Sequence, residues 1–322
     1  MIEKYYSGVI EQIYNRIGKE TRNIVMANYS NDFSIENLEV IRRYQSNEDN
    51  VFFAYSEFSY NTLVGAYEPF LDIICNMHRR FIGGSFDDFQ KECGVYYLHR
   101  QVLNSYYETG ECFREETVLL NEVAYEQRRM TMAIADMLKR LSEVRPLMIV
   151  INRFQMASKS SIETIKYLID NPCANIGIVL GVNAIVKGTD STVEVWDRIV
   201  ESLEDRSAIY YIGSAGPLKN NIKTTNDDEL YITMNFEQSI QEASNIMEFL
   251  DYEQARRGCR IIEHKIKFEN AWIDEKSLRR FYLVYARTSV LLGEMSKAIE
   301  LMNEYKALIP ENDSEHYFSL YY

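Results

Sequence analysis

The sequence predicts an α/β protein in which helices flank a parallel β-sheet, followed by a region that contains only helices. Up to about residue 210, short apolar runs alternate with helical patterns, as in βα units around a parallel sheet. The run 146–151 has no polar side chain, which is typical of a strand buried on both faces of a sheet. From Phe236 onwards, only helical patterns remain.

Five apolar runs are the candidate strands, and helical patterns follow them. The strands are expected at residues 23–27, 51–55, 146–151, 176–181 and 208–212. Before the third strand, apolar residues recur at the spacing of one helix face: Met130, Ile134, Met137 and Leu141. Ser85 followed by Asp88 predicts a helix start, and Ser160 or Ser161 is expected to cap the helix after the third strand.

The chain changes character after Pro217, because residues 219–228 are polar and contain few apolar side chains. We therefore expect three parts in the chain. They are an α/β domain at residues 1–218, a linker at 219–235 and helical hairpins at 236–322.

Two helix–turn–helix patterns in the last part can be overlaid, with Ala255 on Ala298, 43 residues apart. The second pattern, residues 286–298, resembles a tetratricopeptide hairpin, although that repeat has a period of about 34 residues. Helical arrays need three or more repeats and a polar cap, so we expect this one to be incomplete. We expect a protein partner or self-association to cover the helical faces, and we allow for a C-terminal output domain outside this chain.

The composition excludes several classes of protein. Of the 322 residues, 46 % are hydrophobic and 26 % are charged, which excludes a disordered or low-complexity chain. No stretch approaches the ~20 uncharged apolar residues of a membrane span, and the first residues lack the regions of a signal peptide. We therefore expect a soluble, cytoplasmic protein. A net charge of −13 argues against direct binding of nucleic acid, and five widely spaced cysteines predict free thiols rather than a zinc site.

Two stretches of the α/β region share a layout with a known family. Residues 125–165 contain a helix, a proline, a bare apolar run, an aromatic-rich turn and a serine-led helix. Upstream lie residues 53–57 (Phe-Ala-Tyr-Ser-Glu) and 66–70 (Ala-Tyr-Glu-Pro-Phe). Over residues 1–215 this layout resembles the STAND-class regulatory ATPases, AAA-related switches of bacterial transcription regulators and sensor proteins. The resemblance implies a P-loop NTPase-like sheet, with a nucleotide site built from a phosphate loop (Walker A) and a Walker B motif.

The phosphate loop that this resemblance implies is degenerate. Its G-x-x-x-x-G-K-[ST] pattern falls on residues 27–34, where Ala27 and Asp32 replace the glycines and Phe33 replaces the lysine. Ser34 alone fits, either as a plain helix N-cap or as a relic of a magnesium ligand. The loop works through glycine backbone N–H groups and a lysine that meets the phosphates. A carboxylate at Asp32 would repel a phosphate ~4 Å away by about 4 kcal/mol at an effective dielectric constant near 20.

The Walker B positions are altered as well. Where the family has a magnesium-binding Asp and a second acid, this chain has Asn152 and Arg153. Asparagine has no charge and arginine cannot act as a base. We expect Arg153 in a structural ion pair, with a role in ligand binding as the alternative. The family often ends its fourth strand with an arginine that senses the γ-phosphate, and here residues 182–183 are Val-Asn.

The alterations at these three sites predict that this chain has lost ATP hydrolysis. We therefore expect a non-catalytic pseudo-ATPase module that regulates or scaffolds bacterial-type signalling through protein contacts, with no catalytic residue, metal or cofactor. The first alternative is a nucleotide-binding switch or ATPase with an atypical phosphate site, which would bind ATP and Mg²⁺. The second alternative, a DNA-binding regulator, conflicts with the acidic charge.

Overall fold

The computed structural model of this chain describes residues 2–29, 38–46, 50–59, 62–114, 118, 121–183, 193–213, 234–269 and 271–309. The chain divides into two compact units, each made of several segments. The first comprises Met1–Ser59, Tyr67–Arg100 and Arg128–Asn226. The second comprises Tyr60–Ala66, Gln101–Gln127 and Asp227–Tyr322. Residues 101–127, expected in the α/β domain, thus group with the second unit, and most of the expected linker at 219–235 lies outside the described residues.

The first unit is built on a five-stranded parallel sheet, which confirms the predicted α/β class. The strands are β1 (Ile24–Tyr29), β2 (Phe52–Glu57), β3 (Leu147–Asn152), β4 (Ile176–Asn183) and β5 (Ile209–Ile212). They lie in the order β2-β3-β4-β1-β5, and each neighbouring pair is parallel. Every residue of β3 and β4 is buried, as expected for central strands of a sheet that is covered on both faces.

Helices precede β1 and alternate with the strands along the chain, and those of the first unit flank its sheet, whereas residues 101–127 belong to the second unit. The helices are α1 (Ile2–Arg16), α2 (Glu39–Ser46), α3 (Phe70–Met77), α4 (Phe86–Glu92), α5 (Tyr97–Thr109), α6 (Val123–Val144), α7 (Lys159–Asp170) and α8 (Val193–Glu204). Ser85 caps α4 as predicted, since its hydroxyl accepts the backbone N–H of Asp88 at 3.2 Å. Across the described part of the chain, no helix is both long and apolar enough to cross a membrane.

The cap of α7 is Ser158, so the prediction of Ser160 or Ser161 is wrong. The Oγ of Ser158 accepts the backbone N–H of Ser161 at 3.3 Å. The other two serines bind the turn that precedes α3. The hydroxyl of Ser161 donates to the carbonyl of Glu68 at 2.7 Å, and that of Ser160 accepts the N–H of Tyr67 at 3.0 Å. Because the three serines stand within four residues, spacing alone does not separate the cap from its neighbours.

Helix α1 is not among the predicted elements, yet it covers one face of the sheet. Its apolar side chains share a buried cluster with Val25 of β1 and Val179 of β4: Tyr6, Val9, Ile10 and Ile13. Gly177 of β4 permits this close packing, because a Cβ there would lie 2.9 Å from the side chain of Ile17. The N-terminal residues are therefore part of the core of the first unit.

The second unit contains two helix hairpins. Their helices are α9 (Phe236–Glu248), α10 (Tyr252–Lys267), α11 (Glu275–Leu291) and α12 (Met295–Ala307). The two turns share one backbone geometry: Leu250 and Gly293 have positive φ values of 70° and 75°. Their N–H groups bond to the carbonyls of Met247 and Val290, respectively. The hairpins are thus related by the 43-residue shift of the overlay, while their assignment to the tetratricopeptide class stays a prediction.

Residues 111–114 join the second unit through hydrogen bonds to α9. The backbone N–H of Cys112 donates to Oδ1 of Asn245 at 2.9 Å. The guanidinium of Arg114 donates to the carbonyl of Glu248, with Nη2 at 3.2 Å. These bonds join residues 133 and 134 positions apart. Because these residues are so distant along the chain, no local pattern indicates that this segment belongs with the helices.

Candidate functional site

The carboxyl ends of the strands form the edge at which open parallel sheets usually bind their ligands. In this sheet β4 lies between β1 and β3, so the last residues of three strands are neighbours: Tyr29, Asn152 and Asn183. Glu57 ends β2, in register with Asn152. The carboxyl edge therefore aligns the strand ends at which the resemblance places the phosphate loop, the Walker B motif and the γ-phosphate sensor.

The first phosphate-loop position lies inside a strand. Ala27 is fully buried in β1 and is paired with β4 on one side and β5 on the other. The strand continues to Tyr29, so the backbone at Ala27 is extended rather than turned around a phosphate. The three remaining positions of the expected loop lie outside the described residues: Asp32, Phe33 and Ser34.

Asn152, at the first Walker B position, is fully buried and holds a hydrogen bond across the sheet. Its Oδ1 accepts the hydroxyl of Tyr29 at 2.6 Å. The ring of Tyr29 in turn packs edge-on against Tyr6 of α1, with centroids 6.3 Å apart. Gly181 of β4 leaves room for this arrangement, because a Cβ there would lie 2.8 Å from Oδ1 of Asn152 and closer still to the Tyr6 hydroxyl. The amide oxygen that a metal would need is thus already bonded within the protein.

Arg153, at the second Walker B position, forms an ion pair, as predicted. Its Nη1 lies 3.1 Å from Oε1 of Glu57 and donates to the carbonyl of Phe58 at 3.3 Å. The hydroxyl of Tyr55 donates to the other carboxylate oxygen of Glu57. The backbone of Arg153 has a φ of 54°, in the left-handed region that costs a non-glycine residue roughly 1–2 kcal/mol. The side chain of Arg153 thus links the end of β3 to the end of β2 and the residue that follows it.

The sensor position at the end of β4 also carries an internal hydrogen bond. The backbone N–H of Asn183 donates to Oε1 of Gln155 at 3.2 Å, and both residues are buried. Gln155 lies in a short 3₁₀ turn, Phe154–Met156, directly after the Walker B positions. The sequence marked this stretch only as an aromatic-rich turn, so the role of Gln155 was missed. The one sign in the sequence was that this glutamine stands between two apolar residues, which is typical of a polar side chain that is buried and hydrogen-bonded.

The carboxyl edge has little capacity for acid–base or metal chemistry. Within the five strands, Glu57 is the one acidic residue, and it is paired with Arg153. Burial raises the pKa of Tyr6 well above its usual value of 10.0, and the nearby Tyr29 raises it further. The Tyr6 hydroxyl therefore stays protonated at neutral pH and cannot act as a base. Among the residues that the structure describes, no three His, Cys, Asp or Glu side chains are grouped to hold a metal ion.

Comparisons with known proteins assign no family to this chain. No model of a known protein family matches it, and no curated protein matches it closely enough to count as a relative. The likeness to STAND-class ATPases therefore stays an interpretation of the sequence.

Proposed function

We propose that this chain is a non-catalytic regulatory or scaffolding module with a P-loop NTPase-like α/β domain, acting through protein contacts. The observation that carries the proposal is the pair of contacts at the end of β3. There Tyr29 bonds to Asn152, and Glu57 pairs with Arg153. In an ATPase of the class that the sequence resembles, these two positions hold the acids that bind Mg²⁺ and polarise water. In this chain the same positions bind other parts of the fold.

The replaced residues disfavour a magnesium nucleotide at this edge. Mg²⁺ requires near-octahedral oxygen ligands and is usually bound through one or two carboxylates. Asn152 offers no charge, and its Oδ1 already accepts the Tyr29 hydroxyl. The guanidinium of Arg153 is a permanent positive charge that repels a cation. Binding Mg²⁺ through Asn152 would break a buried hydrogen bond and cost about 1–3 kcal/mol.

The strand order supports the choice of fold. Since β4 lies between β1 and β3, the three positions named by the resemblance fall side by side along one edge. These positions come from distant parts of the sequence, so their alignment does not follow from the motif spacing alone. A sheet that aligns the three positions but lacks the acids is what we expect of a degenerate member of such a family.

The helical unit offers a surface for protein contacts. Three large apolar side chains near the turn between α11 and α12 are half or more exposed: Val290, Met295 and Ile299. Met295 also lines an open groove of about 620 Å³, together with Arg260, Glu263 and Tyr285. Exposed apolar side chains at a groove with a polar rim are typical of protein-binding surfaces.

Calorimetric titration with ATP, ADP and GTP in the presence of Mg²⁺ tests the non-catalytic part of the proposal. We expect no binding heat and no shift of the melting temperature. The variant Asp32→Gly/Phe33→Lys, which restores part of the phosphate loop, is still expected not to hydrolyse ATP, because Asn152 and Arg153 remain. Micromolar binding by the unaltered chain, or turnover by the variant, would favour the nucleotide-dependent switch and contradict the proposal.

Sedimentation velocity over a range of protein concentrations tests contact through the helical unit. If the exposed apolar residues hold copies together, Met295→Lys/Ile299→Lys is expected to weaken association, because charged side chains resist burial. Asn303→Lys is the matched control, since it adds a charge at an exposed polar position of the same helix. A chain that stays monomeric at the highest concentration would exclude self-association as the contact.

A further inference from the structure

A cavity of about 180 Å³ opens at the amino ends of β1 and β5, the edge of the sheet opposite the carboxyl edge. We call it the arginine pocket, and its polar lining includes Arg16, Glu20, Arg22, Asn23 and Arg206. The lining thus contains three arginines and one acidic residue, in a chain whose net charge is −13. A local excess of positive charge in an acidic protein attracts anions to this place.

The three arginines differ in how far the fold itself uses them. Nη1 of Arg206 donates to the carbonyl of Ile169 at 2.7 Å, near the C-terminal end of α7, a contact that basic residues often make. Arg16 ends α1, with its Nε 3.7 Å from Oε2 of Glu20. Arg22 lies between α1 and β1, is exposed, and has no hydrogen-bond or ion-pair partner among the described residues. Helix capping therefore explains Arg206 but not Arg22.

Asn23 supplies a second, independent sign of a ligand. The side chain is fully buried, and its Nδ2 donates to the carbonyls of Glu20 at 2.6 Å and Ala174 at 3.2 Å. These two bonds fix the orientation of the amide. Its Oδ1 is buried and receives no hydrogen bond from the described residues. A buried acceptor without a donor is uncommon in folded proteins, and a hydroxyl of a bound ligand would satisfy it.

We propose that the arginine pocket binds a small phosphomonoester that carries at least one hydroxyl group. A phosphate dianion accepts charge-assisted hydrogen bonds from guanidinium groups, and a hydroxyl on the same ligand can donate to Oδ1 of Asn23. The cavity is smaller than the roughly 300–1,000 Å³ of pockets for drug-sized ligands, so the ligand is smaller than a nucleotide. Because this pocket lies at the other edge of the sheet, its binding of a phosphomonoester is independent of the proposed non-catalytic role.

Calorimetric titration of the full chain at constant ionic strength tests the proposal with three probes: glycerol 3-phosphate, methyl phosphate and glycerol. We expect saturable binding of glycerol 3-phosphate, weaker binding of methyl phosphate, which has no hydroxyl for Asn23, and none of glycerol. Arg22→Ala should weaken binding of glycerol 3-phosphate about tenfold, the effect of one charge-assisted hydrogen bond. Because Arg22 is exposed, the melting temperature without ligand should not change.

Two further variants distinguish specific binding in the arginine pocket from a general attraction of anions to positive charge. Glu20→Gln removes the one carboxylate of the lining and is expected to tighten binding about threefold. Arg140→Ala is the matched control, because Arg140 is an exposed helical arginine paired with Glu143. The proposal is overturned if no probe binds at about 10 mM, if Arg140→Ala weakens binding as much as Arg22→Ala does, or if methyl phosphate binds as tightly as glycerol 3-phosphate.

Discussion

The two edges of the sheet differ in how the fold uses their arginine side chains. At the carboxyl edge, Tyr29 bonds to Asn152 and Glu57 neutralises Arg153, so these four side chains satisfy one another. At the amino edge, Arg22 has no partner among the described residues, and a buried amide oxygen beside it lacks a donor. Polar groups that bond to each other stabilise the fold but are not available to a ligand. Polar groups without a partner within the fold can bind a ligand.

The fold class alone therefore does not locate a ligand site. Parallel sheets usually bind ligands at the carboxyl edge, where helix N-termini add positive potential. The amino edge faces helix C-termini, which carry partial negative charge. An anion site at the amino edge therefore needs guanidinium groups beyond those that pair with the helix C-termini. Arg206 is used at the end of α7, whereas Arg22 is in excess.

Adding a methyl group at the closely packed Gly181 of the carboxyl edge should lower the stability of the protein the most. Gly181→Ala would place a Cβ 2.8 Å from Oδ1 of Asn152 and still closer to the hydroxyl of Tyr6, and both side chains are fully buried. We expect the free energy of unfolding in urea to fall by about 2–3 kcal/mol. Gly8→Ala is the control, because no atom lies within 4 Å of its Cβ, and helix propensity predicts a gain of about 1 kcal/mol. An unchanged stability of the Gly181 variant would show that this edge is not tightly packed.

Removing one hydroxyl from the same edge should have an intermediate effect. Tyr29→Phe deletes the donor that meets Oδ1 of Asn152, and we expect a loss of about 1–2 kcal/mol in the same urea experiment. Tyr5→Phe alters an exposed tyrosine of α1 and is expected to change stability by less than about 0.5 kcal/mol. Equal effects of the two substitutions would mean that the bond between Tyr29 and Asn152 does not stabilise the edge.

The smallest effect concerns the backbone of Arg153, where two substitutions serve as each other's control. Arg153→Ala and Arg153→Gly both remove the ion pair with Glu57, but only glycine adopts a φ of 54° without strain. The glycine variant should therefore be more stable than the alanine variant by about 1 kcal/mol, measured by thermal unfolding. An alanine variant of equal or greater stability would show that this turn relaxes to another conformation when the ion pair is lost.

The strands could be predicted from the sequence, but their order could not. Each of the five apolar runs overlaps a strand, because a short, bare apolar segment between helical patterns fits a buried parallel strand. The neighbours of β1 are β4 and β5, which lie far away along the chain. No local pattern states which strands will pair, so the order β2-β3-β4-β1-β5 required the structure.

The same limit applies to both edges. The sequence identified Asn152 and Arg153 by their position after the third strand, but not the residues that bond to them. Tyr29 and Glu57 come from other strands, and they meet Asn152 and Arg153 only through the sheet order. The arginine pocket was not predicted either, because its side chains come from the ends of separate helices and loops. The sequence identifies the types of the site residues, whereas their hydrogen-bond and ion-pair partners depend on which distant strands pair.

The place of β1 between β4 and β5 bears on how the chain is synthesised. Its two neighbours are β4, which begins at Ile176, and β5, so the first strand leaves the ribosome long before either partner exists. At a synthesis rate of ~5–20 residues per second, the delay is roughly 7–30 s. Throughout this time the apolar side chains of α1 and β1 lack the sheet that later covers them. The nascent chain therefore leaves these apolar side chains uncovered for longer than a chain whose first two strands pair directly.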